Sequence, residues 1–390
     1  MARLPGPRVS TGVGEFPGTR RPGVRREGRG HGCGSLAHRH GVGQRRVLEG
    51  SSDAHPSRCC GTDDPDESRI GVLMRRREPI IVRRPLVVAD DLRALVEIPL
   101  LAMISIALPQ RRWEGACRAI ERVKSMASWR EPRAAAAAVA AMLGAGPATD
   151  DADRFAIGYA ACRIEQYMQG LRECLPGGWR PRIVLDGGEW LAAALAGGRG
   201  AVVWVAPFVF APLAAKRALA EAGASIAHVS RPGHGFTRSR FGVAVLNPIR
   251  VAAENRWLIE RLVIEDAHAG AVMMRAQRML RANRVVSITA GGWEGQRLAT
   301  VRIFGRSTEL ALGAPGLARI TGAPLLPVFT VRDPDGTLRV VVDAPIPIAS
   351  DRPRDTALDD AAQVYADRVE PWIRRYPMQW RNWLELGEAQ

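Results

Sequence analysis

"VRIFGRSTELALGAPGLARITGAPLLPVFTVRDPDGTLRVVVDAPIPI", residues 301–348, is the stretch on which the fold turns. Its β-like opening ends at Phe304-Gly305, and a polar Ser307-Thr308 turn leads into a predicted helix over 308–322. "APLLPVFTV" (323–331) and "LRVVVDAPIPI" (338–348) follow as strands, joined by a short hairpin at Asp335-Gly336. Strand, helix and strand in such close succession are the unit of a layered α/β protein.

The same alternation extends toward the N-terminus. Strands are predicted at 202–205, 224–230, 284–290 and 300–305, and helices at 212–222, 251–283 and, beyond the opening stretch, 356–375. That order predicts an α/β fold with a mixed, largely parallel sheet flanked by helices. Further upstream, 131–146 and 151–174 read as helices, the second capped by Asp150 or Asp151. A first helix starts at a cap supplied by Asp90 or Asp91 and runs toward Pro109. Its uncharged run, 98–108, is too short to span a bilayer at about 1.5 Å per residue. Arg93 and Glu97 precede that run, and Arg111, Arg112 and Trp113 follow it. A helix lying in a membrane interface and a buried core helix both fit this layout.

Residues 1–73 are rich in Gly, Arg, Pro and Ser and have neither helical nor strand periodicity. They are expected to form a disordered extension, with Met74 as the true start and 74–390 as a single domain. His31, His38, His40 and His55 lie in that extension. The formal net charge is +15, and Lys124 and Lys216 are the only lysines, so the positive charge is almost all arginine. Such a surface favours acidic partners, including anionic lipid and acidic carrier proteins. No helix-turn-helix, RNP or zinc-finger pattern accompanies it, so nucleic acid is not an expected partner. The six cysteines have no metal-ligand spacing and are too few for a disulfide framework. No metal or cofactor is predicted.

The 301–348 series, together with "EPWIRRYPMQWRNWLEL" (370–386) and its Pro377, Gln379, Trp380 and Trp383, resembles the bacterial lipid A biosynthesis (lauroyl/myristoyl) acyltransferases. Those enzymes carry an ordered FFG, LA, TGA, VVP series and a terminal PEQWxW element. The resemblance spans about residues 85–388. It implies a glycerolphosphate-acyltransferase-like fold with an N-terminal helical segment that associates with membrane. It also implies peripheral or monotopic attachment to the cytoplasmic face of a bacterial inner membrane. The implied reaction moves a fatty acyl chain from an acyl carrier protein thioester to a hydroxyl of a phosphorylated glycolipid.

In that family a His-x4-Glu or His-x4-Asp pair at a strand-to-helix turn does the proton transfer. The histidine deprotonates the acceptor hydroxyl, and the carboxylate orients the imidazole. The corresponding stretch here is "WVAPFVFAPL" (204–213), which keeps Phe208 and Leu213 but has Pro207 and Pro212 at the two dyad positions. Shifting the register by one residue places Ala206 and Ala211 there instead. A general base contributes about 10²–10⁴-fold, so its loss is serious without abolishing every means of catalysis. Two consequences follow: displaced chemistry, with His234 and Glu294 as candidates, or a non-catalytic pseudoenzyme that binds acyl chain, lipid or carrier protein.

His234 lies in "HVSRPGHGFTRSRFG" (228–242), as a solvated loop residue, a phosphate ligand or a replacement base. Glu294 is the only carboxylate in the glycine-rich "ITAGGWEGQR" (288–297). The resemblance assigns Arg231 and Arg240 to the acceptor's phosphate. It places Phe208, Phe304, Gly305 and Arg306 around the pocket, with Arg306 either a phosphate partner or solvated. His228 is expected to be a hydrogen-bonded sheet residue and His268 a helix-surface residue. Trp372, Trp380 and Trp383 are expected to pack the C-terminal helix or touch membrane.

Overall fold

Strand β2 (Ala201–Val205) is buried at every residue and lies at the centre of the sheet. Its sequence, AVVWV, is uninterrupted rather than alternating, as a parallel strand covered on both faces requires. The computed structural model describes residues 85–124, 134, 136–140, 149–231, 239–264, 269–291 and 297–383. All of them belong to the unit Gly71–Gln390; the unit Met1–Ile70 and Met74 lie outside the described residues.

The other sheet strands are β1 (Ile183–Asp186), β3 (Ile226–Ser230), β4 (Glu260–Val263), β5 (Val285–Thr289), β8 (Leu325–Arg332) and β9 (Leu338–Val342), while β6 (Leu298–Ile303) and β7 (Arg306–Ala311) form a separate hairpin. The sheet order is β1-β9-β8-β2-β5-β3-β4, and every neighbouring pair is parallel except the β8–β9 hairpin. This is the mixed, largely parallel sheet expected. The β8–β9 turn also forms as expected: Gly336 has φ +85°, and the Thr337 amide donates to Asp335 Oδ1 at 2.9 Å.

Two expectations are corrected. Residues 308–311 belong to strand β7, because Phe304 and Gly305 both have positive φ (53° and 71°) and reverse the chain immediately. This is the geometry of a type I′ hairpin turn, and the helix starts later, at Gly313–Thr321. The predicted helix over 251–283 is also interrupted. Asn247–Asn255 is helical, the chain then extends as β4 beside β3, and a second helix runs Ala269–Arg281.

Helix α1 (Ala89–Ala107) begins at Val88, whose amide donates to Asp91 Oδ2 at 2.8 Å. Asp91 therefore caps the helix from its third position, not from the N-cap. Asp150 and Asp151 likewise lie inside their helix, which runs Thr149–Cys174. Helix α1 packs against that helix through Ala94, Leu101 and their neighbours. Its other face exposes Leu92, Leu95, Val96, Leu100, Met103 and Ile106, at helical spacing. Among the described residues, no helix is long and apolar enough to cross a membrane.

Candidate active site

The turn after β2 emerges at the carboxyl end of the central strand, where open α/β sheets place ligands. Residues 206–210 are all buried. Ala206 donates its amide to Val328 O at 2.8 Å. The Phe208 amide donates back to Ala206 O at 2.8 Å, closing a γ-turn centred on Pro207, which suits the fixed φ of proline. Helix α5 (Ala211–Glu221) then starts with Pro212 in its first turn, where a missing N–H leaves nothing unsatisfied.

The Pro-x-Gln-Trp segment lies across this turn. Val209 donates its amide to Gln379 O at 2.8 Å, and the Arg381 amide donates to Pro207 O at 3.2 Å. Phe208 pairs with Trp380 through an antiparallel bridge and an edge-to-face ring contact at 5.2 Å. The Gln379 side chain accepts from the Arg332 amide at 2.7 Å and donates to the Arg332 carbonyl at 2.8 Å. It thereby ties the end of β8 to the same strap. The motif's glutamine and first tryptophan therefore have a concrete task, which is to clamp the turn.

Beneath Pro207 lies a cleft of about 340 Å³ that opens to solvent, with only a narrow enclosed part. Ala290, Gly291, Ile303 and Leu310 line it, together with Thr308, Glu309, Tyr365, Trp380 and Asn382. Tyr365 comes from helix α9 (Arg354–Arg375), which packs against β6, and its ring stacks on Trp204 at 4.1 Å. Burial pushes the Tyr365 phenol far above its usual range, so it stays protonated.

Two charged clusters brace the turn from other sides. Lys216, one helical turn beyond Pro212, donates to Pro212 O at 2.7 Å and pairs with buried Glu254 at 2.9 Å. Arg261 joins Glu254 at 2.9 Å. Burial, against the pull of Glu254, depresses the Lys216 pKa. On the opposite side, the Arg332 guanidinium stands 5.6 Å from the Phe210 ring centroid and pairs with Glu114 at 2.9 Å and Glu165 at 3.5 Å. Burial raises the Glu165 carboxyl to about 7, with Arg332 pulling the other way.

The expected site residues are only partly brought together. His234, Glu294 and His268 lie outside the described residues. Phe208 is in the buried turn. Arg231, just after β3, and Arg240 are exposed, and the Arg240 amide donates to Pro85 O at the approach to α1. Phe304 and Gly305 form the hairpin turn, and Arg306 begins the return strand, so the hairpin presents Ile303 and Thr308, Glu309 and Leu310 to the cleft instead. Phe304 is held by Trp383 at 6.1 Å and by Arg374 at 5.0 Å. His228 is buried in β3, with Nδ1 3.3 Å from Ser287 Oγ. Trp372, Trp380 and Trp383 all pack against protein. Cys117 and Cys162 are buried thiols with pKa raised by burial, and Cys33, Cys59 and Cys60 lie outside the described residues. No cluster able to hold a metal occurs among the described residues.

Residues 219–385 match the family model described as bacterial lipid A biosynthesis acyltransferase. Over these residues, less than half of the chain, the sequence is similar to that acyltransferase family. The match starts inside helix α5, so the proline turn precedes it. A crystal structure of the 1-acyl-sn-glycerophosphate acyltransferase from Thermotoga maritima is 14% identical, covering 73% of this chain and 97% of that one, with a TM-score of 0.33. No curated protein matches.

Tyr365 and Glu309 escaped the sequence reading. Tyr365 sits in an amphipathic helix with no motif around it. Glu309 falls in a segment read as helix, and its alternation with Thr308 and Leu310 was the available signal.

Proposed function

We propose that this chain handles fatty acyl groups at a membrane surface. In this reading it passes them from an acyl carrier protein thioester to a hydroxyl of a phosphorylated glycolipid on the cytoplasmic face of a bacterial inner membrane. The observation that carries it is the apolar outer face of α1, in a chain whose residues 219–385 match an acyltransferase family. A helix with one face packed on protein and the other exposing six large apolar side chains suits the boundary between headgroups and acyl chains. Arg111 and Arg112 follow it, in keeping with anionic headgroups, while Arg93 on the helix itself pairs with Glu97 at 2.7 Å. Proton transfer falls to groups outside the turn, with His234 and Glu294 as candidates.

One observation favours a second reading, in which the protein binds acyl chain, lipid or carrier protein without turnover. Pro207 lies in a fully buried turn and Pro212 is half-buried just beyond it, and no residue from 204 to 213 has a titratable side chain. The test is mass spectrometry of the full chain incubated with lauroyl-acyl carrier protein and a phosphorylated glycolipid in vesicles. Transfer by the wild type, lost in His234→Ala, supports the first reading. Transfer that appears only in the Pro207→His, Pro212→Glu double variant supports the second. Absence of both transfer and acyl binding refutes both.

A further inference from the structure

The wall of the cleft under Pro207 carries two buried donors. Tyr365 is 1% exposed and Trp380 4% exposed, and both residues border the cleft. Neither the Tyr365 hydroxyl nor the Trp380 Nε1–H has a hydrogen-bond partner among the described residues. Leaving such groups buried and unsatisfied destabilises a fold, and proteins seldom keep them without a use.

We propose that this cleft is an acyl-carbonyl site, in which Tyr365 and Trp380 donate hydrogen bonds to the oxygen of an ester or thioester. An indole N–H can only donate, so the matching ligand atom is an acceptor. Most of the surrounding residues, Pro207, Ala290, Ile303, Leu310 and Val369, are apolar; Thr308, Asn382 and the exposed Glu309 are the polar ones, and no cation is among them. Those surroundings suit a neutral carbonyl and disfavour a phosphate. The enclosed space has room for little more than one such group, so the rest of the acyl chain lies outside it. Both donors sit at the carboxyl end of the central strand, beside the turn where the family's chemistry is expected. The inference rests on the acyl-handling reading above and adds the residues that recognise the carbonyl.

The test uses the full chain and S-dodecanoyl-N-acetylcysteamine carrying ¹³C at the carbonyl, with its thioether analogue S-dodecyl-N-acetylcysteamine as the control. Infrared difference spectra report hydrogen bonding to the carbonyl, and calorimetry reports affinity. The expected result is a carbonyl band displaced to lower frequency on binding. Tyr365→Phe should weaken the thioester by about 2- to 10-fold, the worth of one neutral hydrogen bond, and leave the thioether unchanged. Trp380→Phe, which keeps a ring against Phe208, should act in the same direction. Tyr365→Phe should also raise the melting temperature of the unliganded protein, because it deletes an unsatisfied buried hydroxyl while keeping the stacked ring. A loss of affinity with a gain in stability separates recognition from damage to the fold. Equal binding of thioester and thioether, with no effect of Tyr365→Phe, overturns the carbonyl site but leaves acyl handling standing. Failure of both probes to bind overturns both.

Discussion

Replacing Glu165 with glutamine tests whether the cluster behind the turn is organised as described. Glu165 lies on the long helix Thr149–Cys174 with a side chain only 4% exposed, so solvent screening does not dilute its electrostatics. The charged groups around it are Arg332 from β8 and Glu114 and Arg118 from the helix Trp113–Lys124, with the Cys117 and Cys162 thiols nearby. Burial outweighs the attraction of Arg332, which Glu114 already engages, and the carboxyl rises from 4.5 to about 7. In the unfolded chain it ionises near its ordinary value, so between about pH 4.5 and 7 the folded state holds the extra proton. Its contribution to stability is complete below the unfolded pKa and declines as pH rises through that window. At about 1.4 kcal/mol per pKa unit the loss reaches roughly 3 kcal/mol above pH 7. Glutamine resembles the protonated acid and cannot ionise. The variant should exceed the wild type by no more than about 1 kcal/mol at pH 5 and by up to about 3 kcal/mol at pH 8, measured by urea unfolding at both values. A variant less stable than the wild type at pH 8, or one with the same pH dependence, would show that Glu165 is an ordinary ionised partner of Arg332 and refute the reasoning.

Other expectations concern the strap, α1 and the loop before β2. Gln379→Ala leaves the half-buried Arg332 amide and carbonyl without their partner, and chemical denaturation should register a loss of about 1–2 kcal/mol. Changing Leu92, Val96 and Met103 together to serine should reduce binding to anionic vesicles by at least about tenfold in flotation, while thermal unfolding stays unchanged because those side chains face away from the protein. Gly200→Ala should cost about 1–3 kcal/mol in a thermal melt. Gly200 has φ +64°, and a Cβ there would collide with the Arg284 carbonyl.

What the sequence made legible follows physical strength of signal. Strands β2, β5 and β8 are dense in apolar and β-branched residues and bounded by loops, so packing and propensity agree and the central sheet could be read directly. Strand β4 could not. Its sequence, ERLV, is short, half charged and at the sheet edge, and the same letters fit an amphipathic helix. Strand β7 was hidden by Phe304, because an aromatic residue at positive φ is rare and nothing local announces it. At the site, the place of the turn was readable from element order. The groups that surround it were not, because Gln379, Trp380 and Tyr365 reach it from the far end of the chain, and pairing across that separation leaves no periodic trace.

The contacts of the two prolines bear on what the turn is for. A decaying site would be expected to loosen, losing the hydrogen bonds that once held catalytic side chains in place. Here the γ-turn at Pro207 closes on itself, Val209 and Pro207 are tied to the strap, and Pro212 starts a helix whose Lys216 bonds back to the Pro212 carbonyl. Proline is also the residue that lowers the entropy of the unfolded chain at such positions without requiring a donor. These features describe a buried, hydrogen-bonded wall facing a cleft whose polar groups come from α9, the β6–β7 hairpin and the strap. A rigid wall positions a ligand against those groups, which is the arrangement that binding and preorganised catalysis both need. Mutations on the elements facing the turn, at Tyr365 and Glu309, should therefore change ligand affinity without unlocking the turn itself, whereas Trp380 belongs to the strap that clamps it.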